Sequence, residues 1–281
     1  MPFVRNLAAM MKALKSDKNF LVIDLGNSTL SSSIFQNDKI VFFKKYISNN
    51  VRCYGDFKEL LSVLVHDLCE KDISVDEIIF SSVVSNKTSE CIKGLKHFFN
   101  ADIHLITNEI KTPYIMSNSS EIGSDIYANL VEGRIKSYTK PCIIVDFGTA
   151  LTVSCTDDSG KVIGVVIYPG TRSCIESLFN NAPILRKLYN RQTEDDSQNH
   201  VINEQIKADN TKKAIDVGMC YGTAGAVISI INFFKKQLNN ECYLIATGGD
   251  SNTFAPFIKE FDEIDELHTL KGIYHIYQKA I

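Results

Sequence analysis

The sequence predicts an α/β fold in which one arrangement of strands and helices is used twice. Short apolar runs alternate with helix-period segments from Phe20 onward, and the strand-and-turn opening FLVIDLG returns as CIIVDFG at Cys142. The composition is that of a globular chain, with 281 residues, 44% hydrophobic and 22% charged. At about 150 residues per domain this length fits two domains, and disorder and collagen are excluded. A chain of this size buries roughly three quarters of its extended surface, so its core requires no disulfide or metal staple.

FLVIDLG reads as a buried strand and LSSSIF as a second, with Gln36, Asn37 and Asp38 turning the chain into KIVFF. GDFKELLSVLVHDLCEK then reads as an amphipathic helix with Leu60, Leu61, Leu64, Val65 and Leu68 on one face. EIIFSSVVS is a strand, TSECIKGLKHFF a helix and IHLIT a strand. After a connector rich in Pro, Ser and Asn (Thr112 to Ser120), GSDIYANLVEGRIKSY reads as a helix opened by Ser124 or Asp125.

The opening arrangement then starts over. PCIIVDFGTALTVSCTDDSGKVIGVVIYPG contains strand, turn, strand, a hairpin turn at Asp157, Asp158, Ser159 and Gly160, and another strand. The polar stretch from 190 to 210 predicts an exposed loop or flap. Two apolar helices are expected around AIDVGMCYG and TAGAVISIINFFKK, followed by the strand CYLIATGG and a terminal helical segment. The expected domains are a leader over 1–20, a first domain over 21–138 and a second over 139–281.

Thirty Lys and Arg against 33 Asp and Glu leave a net charge of −3, with no basic stripe interleaved with aromatics, so nucleic acid is not an expected partner. Uninterrupted apolar runs fall well short of the roughly 20 residues that span a bilayer, so no membrane partner is expected. The eight cysteines include no C-x-x-C pair and mostly lie in apolar runs, which reads as reduced thiols in a cytoplasmic protein. The first twenty residues lack the apolar stretch and small-residue cleavage site of a secretory signal.

The chemistry-bearing repeat is Asp24-Leu25-Gly26-Asn27-Ser28 against Asp146-Phe147-Gly148-Thr149-Ala150, each where an apolar strand turns back into a second. Each turn combines a carboxylate, a glycine whose bare backbone admits an anion, and a hydroxyl or amide donor. Two such turns suit a polyphosphate, and Ala246-Thr247-Gly248-Gly249 after the last strand suits a nucleotide lying against backbone. Neither G-x-x-x-x-G-K-[ST] nor G-x-G-x-x-G is present, which excludes a P-loop or Rossmann site.

On these motifs the chain resembles the superfamily of acetate and sugar kinases, heat-shock ATPases and actin, and within it the type III pantothenate kinases. The family patterns D-x-G-N-T, D-x-G-T-A-x-T, G-x-D-R-x-A-N and G-G-x-I-x-P-G are met by DLGNS, DFGTALT, GSDIYAN and GVVIYPG, and Asn210-Thr211 is similar to an N-T-x-x-A segment. The likeness runs from about Leu21 to Gly249. It implies two duplicated ribonuclease-H-like (actin-like ATPase) domains with mixed β-sheets flanked by helices. The implied activity is ATP-dependent phosphorylation of pantothenate, the first step of coenzyme A synthesis.

The resemblance also implies roles. Asp24 would orient magnesium through water beside the phosphates, and the segment Leu25, Gly26, Asn27, Ser28, Thr29, Leu30 and Ser31 would line the first phosphate loop. Thr149 would donate from the second loop, Gly248 and Gly249 would meet the nucleotide, and Asp146 would hold a monovalent cation, potassium or ammonium. Asp125 would accept the proton of the pantothenate hydroxyl, with Gly123, Ser124, Ile126 and Thr211 lining the acceptor pocket. The family's acceptor site lies at a dimer interface, so a homodimer is expected, with the apolar helices around Val217-Gly218 and Ile228 to Phe234 as its source.

Plainer readings stand beside these. Asp125 and Thr211 also suit helix caps, Asp24 and Asp146 suit turn formers, and the apolar helices suit core. The acceptor motifs also depart from the pattern, because the Arg of G-x-D-R is Ile126, the Tyr expected upstream of Gly123 is Met116, the Pro after Asn118 is Ser119, and the second Gly of G-G-x-I is Val165. Arg172 is the expected replacement cation. The alternatives are a kinase of the same fold acting on another small acceptor and a nucleotide-binding regulator without turnover.

Overall fold

The computed structural model describes residues 18–116, 121–195, 207–238 and 241–281. Most of the leader, part of the polar 190–210 stretch, and Asn118 and Ser119 of the connector lie outside the described residues. The chain divides into two compact units, the first drawn from Met1–Pro113, Ser119–Val131 and Thr269–Ile281 and the second from Tyr114–Asn118 and Glu132–His268.

The first unit holds a five-stranded sheet of β1 (Phe20–Leu25), β2 (Thr29–Gln36), β3 (Lys39–Ile47), β4 (Glu77–Ser82) and β5 (Asp102–Ile106), in the order β3-β2-β1-β4-β5. Central β1 pairs antiparallel with β2 and parallel with β4. Its central place explains its unbroken apolar run, since both faces are covered and Leu21, Val22, Ile23 and Leu25 are all buried. Edge strand β3 instead turns Phe42 and Tyr46 to the core and leaves Val41, Lys45 and Ile47 exposed on its other face. The β2–β3 turn carries Asn37 and Asp38 at φ 51° and 61°, the left-handed pair a tight hairpin requires.

Helix α1 (Tyr54–Glu70) buries Phe57, Leu61, Leu64 and Leu68 along one stripe, and α2 (Ser85–Phe98) adds Cys91 and Leu95 to the same core. Gly94 lets the two helices close on each other, because a Cβ there would lie 2.8 Å from Leu61 Cδ1. Helix α3 (Ser124–Ser137) starts at Ser124, as the sequence predicts.

The second unit repeats the topology. Strands β6 (Cys142–Phe147), β7 (Ala150–Thr156), β8 (Val162–Pro169), β9 (Tyr243–Thr247) and β10 (Glu263–Ile264) lie in the order β10-β9-β6-β7-β8. Central β6 is antiparallel to β7 and parallel to β9, as β1 is to β2 and β4. The duplicated α/β architecture with mixed sheets is therefore present strand for strand. At the β7–β8 turn, Asp157 Oδ1 accepts from the backbone of Ser159 and Lys161, both at 2.9 Å, and Gly160 takes φ 86°.

Helices α4 (Thr171–Asn181) and α5 (Pro183–Asp195) follow, so the polar stretch expected to be loop begins as helix through Asp195. The two apolar helices expected next are one, α6 (Thr211–Gln237). A Cβ on Gly218, Gly222 or Gly225 would meet nothing within 4 Å, and each glycine costs the helix only about 1 kcal/mol against Ala, so the helix runs through them. Buried Ala224, Val227, Ile231 and Phe234 dock α6 on the sheet, each larger side chain contributing about 1.5–3 kcal/mol. By length and composition alone this helix would also cross a membrane; here one of its faces is part of the core.

After the short helix α7 (Ser251–Phe254), the last helix α8 (His268–Lys279) returns from Thr269 onward to the first unit. It approaches α3 closely enough that a Cβ on Gly272 would overlap the Ala128 carbonyl. All eight cysteines are free thiols, and burial pushes those of Cys91 and Cys155 up to about 12.

Candidate active site

Each unit carries an aspartate one residue before the end of its central strand, ahead of a tight hairpin. In the first, Gly26 N–H donates to the Thr29 carbonyl at 2.9 Å, and Ser48 N–H donates to the Ser28 carbonyl at 2.9 Å. Asn27 is exposed, while Gly26, Ser28 and Thr29 are half-buried. The side chains of Leu25 and Leu30 belong to the core, which leaves their backbone to the loop. Ser31 is buried in register with Asp24.

In the second unit the hairpin is Gly148-Thr149, with Thr149 exposed. Gly170, just before α4, packs against it so tightly that a Cβ would overlap the carbonyls of both Gly148 and Thr149. The Ser173 hydroxyl donates to the Thr149 carbonyl at 3.0 Å. Arg172 lies exposed in the same first turn of α4, beside this hairpin.

The two aspartates share a setting that motif reading missed. Asp24 is flanked in register by Ser31 on β2 and Ser81 on β4. Asp146 is flanked by Thr152 on β7 and Thr247 on β9. The signal was present as hydroxyl residues at matched strand positions, but it is visible only once the strands are paired. Thr247 Oγ1 is buried without a hydrogen-bond partner. The turn after it is equally constrained, because Gly248 takes φ 92° and a Cβ there would lie 2.5 Å from Asp146 Oδ1 and 2.6 Å from the Phe147 carbonyl. Exposed Gly249 follows, and Asp250 N–H reaches the Phe147 carbonyl at 3.3 Å.

Asp125 occupies the first turn of α3 in the first unit, half-buried. Its Oδ1 accepts from Ile126 N–H at 2.7 Å, so it serves the helix end, yet burial pushes its carboxyl above the ordinary range despite that bond. Gly123 makes room for it, because a Cβ there would lie 2.6 Å from Asp125 Oδ1. The Ser124 and Ser81 hydroxyls hydrogen-bond at 2.9 Å, which ties the start of α3 to the strand beside Asp24. Ser81 is a second residue that sequence reasoning passed over.

Gly123 and Ser124 also border an open groove of about 480 Å³, lined further by Ser82, Thr88, Thr107 and Asn108. Among the described residues its lining includes Glu121 and no lysine, arginine or histidine. Ile126 is half-buried next to Asp125. At the start of α6 the cap is Asn210, whose side chain accepts from Lys213 N–H at 2.9 Å, so Thr211 is the first helical residue and not the cap.

The donor set at Asp24 is carboxylate and hydroxyl oxygen, which suits magnesium, a hard cation that keeps most of its water and takes one or two carboxylates. Among the described residues no group of three or more His, Cys, Asp or Glu is placed to hold a metal by itself.

The family described as type III pantothenate kinase matches residues 20–232. A type III pantothenate kinase of Geotalea uraniireducens is 31% identical over 265 residues, 92% of this chain and 98% of its own. Among solved structures, a conserved putative Baf family transcriptional activator from Campylobacter jejuni aligns with TM-score 0.51 and 18% identity over 92% of this chain and 97% of its own. A ROK family glucokinase from Streptomyces griseus, solved with glucose and AMPPNP, aligns with TM-score 0.54 and 8% identity over 92% and 98%. At such identities these two structures speak for the fold alone.

Proposed function

The chain belongs to the type III pantothenate kinase family, and on that premise we propose that it transfers the γ-phosphoryl group of ATP to the primary hydroxyl of pantothenate, opening coenzyme A synthesis. The observation that carries the chemistry is Asp125, a half-buried carboxylate with a raised pKa that directly follows Gly123 and Ser124 of the groove lining. Asp125 takes the hydroxyl proton as the acceptor oxygen bonds to the γ-phosphorus, the bond to the β-phosphate oxygen breaks, and ADP leaves. Phosphoryl transfer is mostly positioning and cancellation of spread negative charge, so one carboxylate in reach of the hydroxyl suffices for the proton.

The backbone of Gly26, Asn27 and Ser28 and the donors of Thr149 serve the phosphates, with Gly248 and Gly249 toward the nucleotide. Asp24 would hold magnesium, which would supply charge neutralisation at the phosphates. Asp146 holds the monovalent cation; the buried, unpartnered hydroxyl of Thr247 in register with it supports an oxygen-lined site there. Gly123, Ser124 and Ile126 in the first unit serve the acceptor, and in the second unit Thr211 and Arg172 are assigned to it from the sequence, Arg172 as the cation for its carboxylate. Tyr221 and Phe233, exposed on α6, support a homodimer, and free thiols at every cysteine support a reducing, cytoplasmic setting.

One observation favours a second reading. Ile126 stands where the family pattern has arginine, and among the described residues no lysine, arginine or histidine lines the groove, which suits a different small acceptor. Incubation with ATP, magnesium, potassium and pantothenate, following ADP, separates the readings. Turnover with pantothenate supports the first, turnover only with another acceptor the second, and nucleotide binding without turnover makes the chain a regulator. Light scattering near the single-chain mass of 31.5 kDa overturns the dimer.

A further inference from the structure

Four half-buried lysines among the described residues are answered by carboxylates. Lys136 pairs with Glu263 and Asp265, Lys212 with Asp216, Lys213 with Asp209, and Lys235 with Glu260. Lys87 differs. It is half-buried in the first turn of α2, donates to the neutral carbonyl of Ser48 at 3.0 Å, and meets no carboxylate among the described residues. A partly desolvated ammonium without a counter-charge is unfavourable, and an anion beside it relieves that cost.

The position of Lys87 says which anion. Ser48 N–H donates to the Ser28 carbonyl at 2.9 Å, so a single residue separates the Lys87 ammonium from the first phosphate hairpin. Ser48 is itself fully buried, and its Oγ has no hydrogen-bond partner. Lys87 also lies at the N-terminal end of a 14-residue helix, whose dipole adds positive potential on the same side. Together these place an unanswered cation, an unpartnered buried hydroxyl and a helix N-terminus around the hairpin that the proposed function gives to phosphate.

We propose that Lys87 is a further phosphate-binding residue of the first hairpin, its ammonium meeting an oxygen of the nucleotide's polyphosphate at Ser28. The inference rests on the proposed use of that hairpin, but it concerns nucleotide charge and not the acceptor. Lys87 makes no bond in the reaction; it neutralises and positions.

The test is calorimetric titration of the full chain, without pantothenate, with AMPPNP plus magnesium and separately with adenosine. Lys87→Gln keeps a donor for the Ser48 carbonyl and removes the charge, and Lys87→Arg keeps the charge. Loss of a charge-assisted contact weakens AMPPNP binding about ten- to a hundredfold in Lys87→Gln, leaves adenosine unchanged, and is largely restored in Lys87→Arg. Equal AMPPNP affinity in Lys87→Gln and wild type overturns the inference, as does an equal loss for adenosine, which marks a structural role. Should Lys87→Gln fail to fold, Lys87→Arg and wild type compared across ionic strength decide, since equal salt-insensitivity of both also overturns it. A wild-type chain that binds AMPPNP but leaves pantothenate unphosphorylated overturns the acceptor reading alone, whereas a wild type that binds no AMPPNP overturns both.

Discussion

Replacing Asp125 by Asn separates catalysis from folding at one atom. Asn is nearly isosteric, so it fits the space that Gly123 leaves beside Oδ1, and its carbonyl still accepts the 2.7 Å bond from Ile126 N–H. What is lost is the capacity to take a proton. General-base assistance is worth about 10² to 10⁴ in rate, or about 3 to 5 kcal/mol of barrier at about 1.4 kcal/mol per decade, so kcat should fall by that factor while AMPPNP affinity holds. Burial raises the folded-state pKa of Asp125 above the ordinary carboxylate range. For a raised acid the stabilising contribution is complete below the unfolded value and is lost as pH rises through the folded one. At neutral pH the wild type therefore carries a cost that Asn does not, and the variant should melt at the same temperature or higher. The difference should shrink as pH falls below the ordinary carboxylate range. Wild-type kcat should decline on its acid side at a pH above that range. A coupled ADP assay, titration with AMPPNP and melting across pH read all of this. Turnover of the Asn variant within tenfold of wild type, or loss of its nucleotide binding, refutes the role assigned to Asp125.

Three further substitutions address the hairpins and the acceptor side. Gly248→Ala puts a Cβ 2.5 Å from Asp146 Oδ1 on a backbone at φ 92°; left-handed strain of about 1–2 kcal/mol plus that overlap should lower Tm by several degrees and weaken nucleotide binding, as scanning calorimetry and titration would record. Ile126→Arg restores the guanidinium of the family pattern, and a charge-assisted bond worth about 1.5–3 kcal/mol should lower KM for pantothenate about ten- to a hundredfold in steady-state kinetics. Arg172→Ala should raise that KM if Arg172 holds the acceptor carboxylate, and an unchanged value dismisses it from that role.

The duplication was legible because it is written locally. DLGNS and DFGTA both follow buried apolar runs, and in both units those runs are central strands that cannot afford polar residues before the aspartate. The Asn37-Asp38 and Asp157–Gly160 turns were legible for the same reason, since their conformations restrict which residues serve. Three features were not legible. Strand β10 has two residues, too few for any period to register. Helix α6 is one helix where two apolar segments were expected, because its glycines face open space and the buried stripe of Val227, Ile231 and Phe234 holds the helix in place, a tertiary contact that local pattern does not carry. The return of α8 to the first unit rests on long-range contacts, Gly272 against Ala128, Thr269 on Asn129, Tyr274 on Phe35 and Asp38, and Tyr277 on His104, whose partners lie far off in sequence and carry no local period.

The same limit hid the flanking hydroxyls, and they bear on how a duplicated fold divides its labour. Asp24 and Asp146 occupy one topological position, each between two hydroxyl-bearing strands. Their surroundings then diverge. Beside Asp24, the Ser81 hydroxyl is engaged by Ser124, which fixes the start of the helix that carries Asp125. Beside Asp146, the Thr247 hydroxyl has no such partner, and the turn that follows lays bare Gly248 against the carboxylate. A hydroxyl already committed to a neighbouring helix transmits position, whereas an uncommitted one next to a carboxylate keeps its lone pairs for a ligand. That difference supports giving the first aspartate to the reacting phosphates with their magnesium, where alignment with the base matters most, and the second to a cation that only balances charge.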